Sequence, residues 1–224
     1  MNRLKRPNSR RRALFSLSVT LVAGVPLLAA CGSAPHPGAA AGVGGQRIPV
    51  SALQGQVDEV RTAQQASPQA AELISNSAQL SQAKLNGMIF DRILDRAAHD
   101  AGVSASRHEV QTARRQAAAS GGGERQFEAT LLQQGALTPG QIDDAVRRDV
   151  LMSKLAKAVG GDTTTPAGQQ KVLAALARTS KDMRVDVNPR YGSWDNAKVA
   201  LASTKTDWIK QVSGQEQQRE PSDV

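Results

Sequence analysis

The chain has 224 residues and a formal net charge of +8, but six of its 28 basic side chains, Arg3, Lys5, Arg6, Arg10, Arg11 and Arg12, stand in residues 1–30, which hold no acidic one. The remainder carries 22 basic against 20 acidic side chains, so no basic patch is expected on the folded domain and nucleic-acid binding is not expected. A single cysteine excludes an intramolecular disulfide, and the few aromatic residues leave the core to Leu, Ile, Val, Met and Ala, a set that favours helices.

After the basic start the chain is apolar from Ala13 to Ala30, broken only by Ser16, Ser18, Thr20, Gly24 and Pro26, which is the pattern of an export signal. Leu28-Ala29-Ala30-Cys31-Gly32 resembles the lipobox of bacterial lipoproteins, whose cysteine is diacylated on sulfur and becomes the new N-terminus. The expectation is a signal peptide over 1–30 and a mature, extracytoplasmic chain anchored to the cell membrane by lipid at Cys31. The competing reading is a spanning helix with an incidental cysteine, for which the stretch is near the lower length limit of about 17 residues. Ser9-Arg10-Arg11-Arg12-Ala13-Leu14 loosely resembles a twin-arginine export signal, so the export route stays open.

Residues 31–46 are rich in Gly, Ala, Ser and Pro and read as a flexible tether. Arg47-Ile48-Pro49-Val50 reads as a short extended segment, and Ser51-Ala52-Leu53-Gln54 as a capping box opening a helix to about Ala66 with Leu53, Val57 and Val60 on one face. Pro68 opens the next helical stretch, and from Gln69 to Ala101 a broad apolar stripe includes Leu80, Leu85, Met88, Ile89, Ile93 and Leu94, with Gly102 as the C-terminal cap. Ser106-Arg107-His108-Glu109 is a second capping box, starting a helix to about Ala119. A helix with Phe127, Leu131 and Leu132 ends at Gly135. Thr138-Pro139-Gly140-Gln141 starts another, carrying Ile142, Val146, Val150, Leu151 and Leu155, and Thr165-Pro166 starts a last one to about Ser180. Met183, Val185 and Val187 alternate with polar residues as a half-buried strand does, and this strand is expected to pair with the run at Ile48 as a small two-stranded ribbon joining the N- and C-terminal segments. Residues 196–224 read as a C-terminal extension, polar and partly disordered beyond about Ser213.

No catalytic constellation stands out. His36, His99 and His108 have no cysteine partners and no HExxH spacing, and there is no GxSxG, SxxK or phosphate-binding glycine loop, so no metal, cofactor or enzyme activity is expected. Asp91 and Asp95 could pair as catalytic carboxylates, but Arg92 and Arg96 beside them point to a salt-bridged helix face. What remains is apolar surface: Met88, Ile89, Phe90, Phe127 and Met152 are candidates either for core packing or for a surface that accepts varied apolar partners.

Leu85-Asn86-Gly87-Met88-Ile89 through Leu94, Ala97-Ala98, Ala101-Gly102-Val103-Ser104, Ser106 to Val110, and the Phe127-to-Gly135 helix followed by Thr138-Pro139 together resemble the N-terminal chaperone domain of SurA and of the extracytoplasmic foldase lipoproteins. The segment from Val187 to Asp195, with Asn188, Pro189, Tyr191, Gly192 and Trp194, is similar to the segment that ends such proteins in high-GC Gram-positive bacteria. The resemblance covers about residues 47–195. It implies a mainly α, multi-helix chaperone domain that binds unfolded or nascent exported polypeptides. In that family a parvulin-type isomerase domain is often inserted at the point corresponding to Gly160–Pro166, where this chain has only a short loop, so holding without isomerase activity is implied. A cell-envelope accessory lipoprotein docking one dedicated protein partner is the alternative reading.

Overall fold

The computed structural model describes residues 37–75 and 79–202; Cys31, the segment 1–30 expected to be a signal peptide, and the tail beyond residue 202 lie outside the described residues. The elements are β1 (Ala39–Val43), β2 (Gln46–Pro49), α1 (Val50–Gln65), α2 (Ala70–Ser75), α3 (Leu80–Asp100), α4 (Arg107–Ser120), α5 (Glu124–Gly135), α6 (Ile142–Ala158), α7 (Pro166–Asp182), β3 (Asp186–Val187), β4 (Ser193–Asp195) and β5 (Ala200–Ala202), with 3-10 turns at Pro139–Gln141 and Pro189–Tyr191. The fold is mainly α, as expected from the sequence.

Helix α3 is the axis of the core. Its Leu85, Ile89, Ile93 and Leu94 are essentially inaccessible and pack with Leu53, Val57 and Val60 of α1, Leu151 and Leu155 of α6, and Val172 and Leu176 of α7. Burying each such side chain contributes about 1.5–3 kcal/mol. A smaller cluster of Val110, Ile142 and Val146 lies where α4 meets α6, with Phe127 and Leu131 of α5 half-buried against it.

Local signals explain where several helices begin. The capping box at Ser106 is formed, its hydroxyl accepting from Glu109 N while the Glu109 carboxylate accepts from Ser106 N at 2.8 Å. Lys154 of α6 donates to the other Glu109 oxygen at 2.6 Å, and this bond, with those from Ser106, holds the Glu109 carboxyl down at about 2. Thr165 caps α7 by accepting from Gly168 N at 3.1 Å, with Pro166 at the first helical position. The expected box at Ser51 does not form: the chain turns directly from β2 into α1, Pro49 takes the N-cap position, and Val50 N donates to Gly38 O. Thr138 is an N-cap without a side-chain hydrogen bond, because a 3-10 turn precedes α6.

The largest departure from the sequence reading is at the N-terminal side, where residues 39–46 are not a tether. β1 is the middle strand of a three-stranded antiparallel sheet, order β2-β1-β3, and its Ala40 and Ala41 are fully buried. The two segments expected to pair with each other, at Ile48 and at Val187, instead flank β1: Ala41 is opposite both Ile48 and Val187. β3 is also shorter than the alternation suggests, because Met183 caps α7 and Arg184 takes a left-handed φ of 48°. The β1–β2 turn is Gly44-Gly45, both at positive φ, the geometry of a tight two-residue hairpin. Gly44 N donates to Met183 O at 2.7 Å, docking the hairpin tip on the end of α7. Beyond Asp195 the chain does not leave the fold at once, since β5 pairs with β4.

Candidate functional site

The five apolar candidates do not form one surface. Ile89 is core at 0 % exposure, Met88, Phe90 and Met152 are half-buried against that same core, and Phe127 belongs to the smaller α4–α5–α6 cluster. The 188–195 segment is a structural clasp. Asn188 donates from its backbone to Ala40 O and from Nδ2 to Ala39 O while its Oδ1 accepts from Arg190 N. Gln82 of α3 donates to Tyr191 O, and Trp194 Nε1 donates to Ser180 Oγ at 2.8 Å, which in turn donates to Asn196. Gly192 sits at φ +123°, and a Cβ there would lie 2.4 Å from Ala202 O.

The carboxylates Asp91 and Asp95 are paired, but with α6 rather than along their own helix. Arg148 binds Asp91 through both Nε and Nη2, and Arg147 lies 2.7 Å from Asp95. Arg92 instead donates to the carbonyls of Gln46 and Arg47, covering β2. His99 and His108 are exposed, and among the described residues no group of His, Cys, Asp and Glu could hold a metal ion. Also among the described residues, no helix is long and apolar enough to cross a membrane.

A groove runs between α1, α2 and the start of α3 on one side and the end of α5 with the following turn on the other. It consists of two adjoining cavities of about 340 and 140 Å³ that share Leu80, Ala83, Gly135 and Ala136. The wider end is lined by Leu73 and Leu132 with Gln64, Gln79, Gln133 and Gln134, and among the described residues no charged side chain lines it. The narrower end contains Met88 and the charged Lys84, Asp91, Asp144 and Arg148. Another, more open cavity of about 560 Å³ lies beside the hairpin tip, but it is rimmed by mixed charges, Arg47, Arg184 and Asp182, with Arg96 already bound to Asp100. The groove is the better candidate because, among the described residues, its wide end has no charged lining and one of its buried polar atoms has no hydrogen-bond partner.

That atom is Gln64 Oε1: the residue is 3 % exposed and its oxygen has no hydrogen-bond partner among the described residues. Lys84 is the second polar residue in the groove wall, 9 % exposed, donating at 2.7 Å to Ala136 O and to Gln141 Oε1. Gln141 in turn donates to Glu59 at 3.0 Å. Burial, and then the charge of Arg148, push the Lys84 ammonium down to about 8, with Glu59 pulling the other way. Lys84 thus fastens the end of α5, where Ala136 is in a left-handed conformation, onto α3. The root of α5 is held by Arg114 of α4, which binds Glu124 and Glu128 of α5 and Asp143 of α6. Sequence reasoning passed over both groove residues, although a signal existed: Gln64 continues the Leu53, Val57, Val60 register and Lys84 lies between Leu80 and Met88 at helical spacing.

No curated protein and no solved structure matches the chain. The profile of the SurA-like N-terminal domain matches residues 10–156, well over half of the sequence, and the chain belongs to that family, whose domain is of the chaperone type rather than catalytic.

Proposed function

We propose that this protein is a lipid-anchored, extracytoplasmic chaperone-like protein that holds unfolded or partly folded exported polypeptides and has no isomerase activity. Membership of the SurA-like N-terminal domain family carries the reading. The wide end of the groove supports it physically: a cleft between helices whose aliphatic walls are rimmed by glutamines, with no charged side chain among the described residues, suits transient contact with apolar stretches of many sequences. The lipobox-like sequence ending at Cys31 supports placement at the membrane, where exported chains emerge.

The test uses the chain from residue 32 onward, added at up to equimolar amounts while two unrelated denatured proteins are diluted from urea. Suppressed light scattering for both is the expected result. No effect on either, with a single stoichiometric partner recovered from the envelope, would replace the reading by that of a dedicated accessory lipoprotein. Metabolic labelling with radioactive palmitate is expected to mark the wild-type chain and not Cys31→Ser; label on both would remove the anchor.

A further inference from the structure

We infer that the wide end of the groove binds an extended, uncharged apolar segment of a client chain through its backbone as well as its side chains, with Gln64 Oε1 accepting a hydrogen bond from a client peptide N–H. The inference rests on the holding function proposed above and assigns the subsite that performs it.

Gln64 occupies a position where an apolar residue would extend the packing face of α1, yet it places an acceptor there, 3 % exposed and without a partner among the described residues. A carbonyl oxygen left unpaired in such surroundings is destabilising, and a donor arriving with a ligand removes that cost. The adjoining space of about 340 Å³ is within the range of small-ligand pockets, roughly 300–1,000 Å³, and suits one or two side chains of a peptide. Its walls combine Leu73, Leu80, Ala83 and Leu132 with the side chains of Gln79, Gln133 and Gln134, and among the described residues no charged side chain lines it, so a charged segment would lose its hydration there without gaining a counter-ion. An acyl chain would fill the volume but leave Gln64 unpaired. A backbone N–H flanked by aliphatic or aromatic side chains satisfies both the acceptor and the walls, and every non-proline residue of any client supplies one. Such a site recognises the class of segment and not its sequence.

The probe is a fluorescein-labelled, ten-residue uncharged peptide rich in leucine, with a series of analogues each N-methylated at one backbone position. Binding is read by anisotropy on the chain from residue 32 onward, which contains every described element, and on its Gln64→Met and Leu132→Arg variants. In the wild type, methylation at one or two positions should weaken binding about tenfold, the worth of one hydrogen bond. Gln64→Met should bind the parent peptide about as weakly and lose the sensitivity to methylation, and Leu132→Arg should bind little of any peptide. A flat methylation series in the wild type, an unchanged series in Gln64→Met, or complete displacement of the peptide by a monomeric acyl glucoside combined with a flat series would overturn the inference. The urea-dilution assay run on the same samples separates the two levels. Equal suppression by wild type and Gln64→Met with a flat series removes the subsite and leaves the holding function; no suppression by either and no peptide binding removes both.

Discussion

At the joint between α6 and α7 backbone meets backbone, whereas α5 is held over the groove mainly by charged side chains. A Cβ at Gly168 would lie 1.9 Å from Asp162 O, and one at Gly161 would lie 2.8 Å from Gly168 O, so the two glycines let the first turn of α7 press against the loop that leads into it. Helix α5, by contrast, has no fully buried residue; its attachments are Arg114 at one end, the Lys84 bond at the other, and the half-buried Phe127 and Leu131 between. Regions with few buried apolar contacts open at the least cost in free energy, and elements that must move aside for a ligand come from them. The helix bordering the proposed binding groove is of this kind, while α7, which leads the chain back to β1, is locked.

The sharpest way to break the contrast is to spoil the locked side. Gly168→Ala places a methyl where Asp162 occupies the space and should cost about 3 kcal/mol, read as a lower urea midpoint with the slope unchanged. The same substitution at Gly55, where a Cβ meets nothing within 4 Å, should stabilise α1 slightly and serves as the control. Equal effects at the two sites would mean that the joint is not close-packed.

A change of pH tests the fastening of α5. The folded chain releases the Lys84 proton near 8, while the unfolded chain holds it to the ordinary value of 10.5. Between those values the unfolded state binds more protons, so the Lys84 contribution to stability rises with pH and is lost again as pH falls through 8. Relative to Lys84→Met, the wild type should gain about 1–2 kcal/mol between pH 7 and 10. A pH-independent difference would show that Lys84 titrates as an exposed lysine does. The other attachment is weaker: Arg114→Ala should cost about 1 kcal/mol overall, as expected for a partly exposed ion network, and should speed amide exchange in α5 well before it does so in α3 or α7.

The same contrast explains what could be read from the sequence. The starts of α4 and α7 were legible because Ser106 with Glu109, and Thr165 with Pro166, satisfy orphan helix amides locally or fit the first turn without one. β1 was not, because Ala39-Ala40-Ala41-Gly42-Val43 has the composition of a linker, and only the space between β2 and β3 over α3 makes small side chains the right ones. The clue was the Gly44-Gly45 pair ahead of Gln46-Arg47-Ile48, a hairpin signal. Of the groove, Met88 was picked out for its side chain, but Gln64 and Lys84 become significant only once α5 is seen to lie across them. The reach of Asp91 and Asp95 to α6 is likewise tertiary, since helical spacing alone pairs them with their own neighbours.

The smallest expected effects separate structure from function most cleanly. Two buried side-chain atoms have no partner among the described residues: Tyr191 OH in the clasp and Gln64 Oε1 in the groove. Both should weigh against the folded state, and replacing either residue by an apolar one of similar shape should raise stability by about 0.5–1 kcal/mol. For Tyr191→Phe nothing else should change, because the clasp is held by the Asn188, Gln82 and Trp194 bonds and not by the phenol. For Gln64→Met the gain should come with weaker suppression of aggregation. If the two variants gain stability equally and only Gln64→Met loses holding activity, the unpaired oxygen in the groove is kept for what binds there, whereas the one in the clasp is a tolerated packing defect; loss of holding in both would trace it to the fold as a whole.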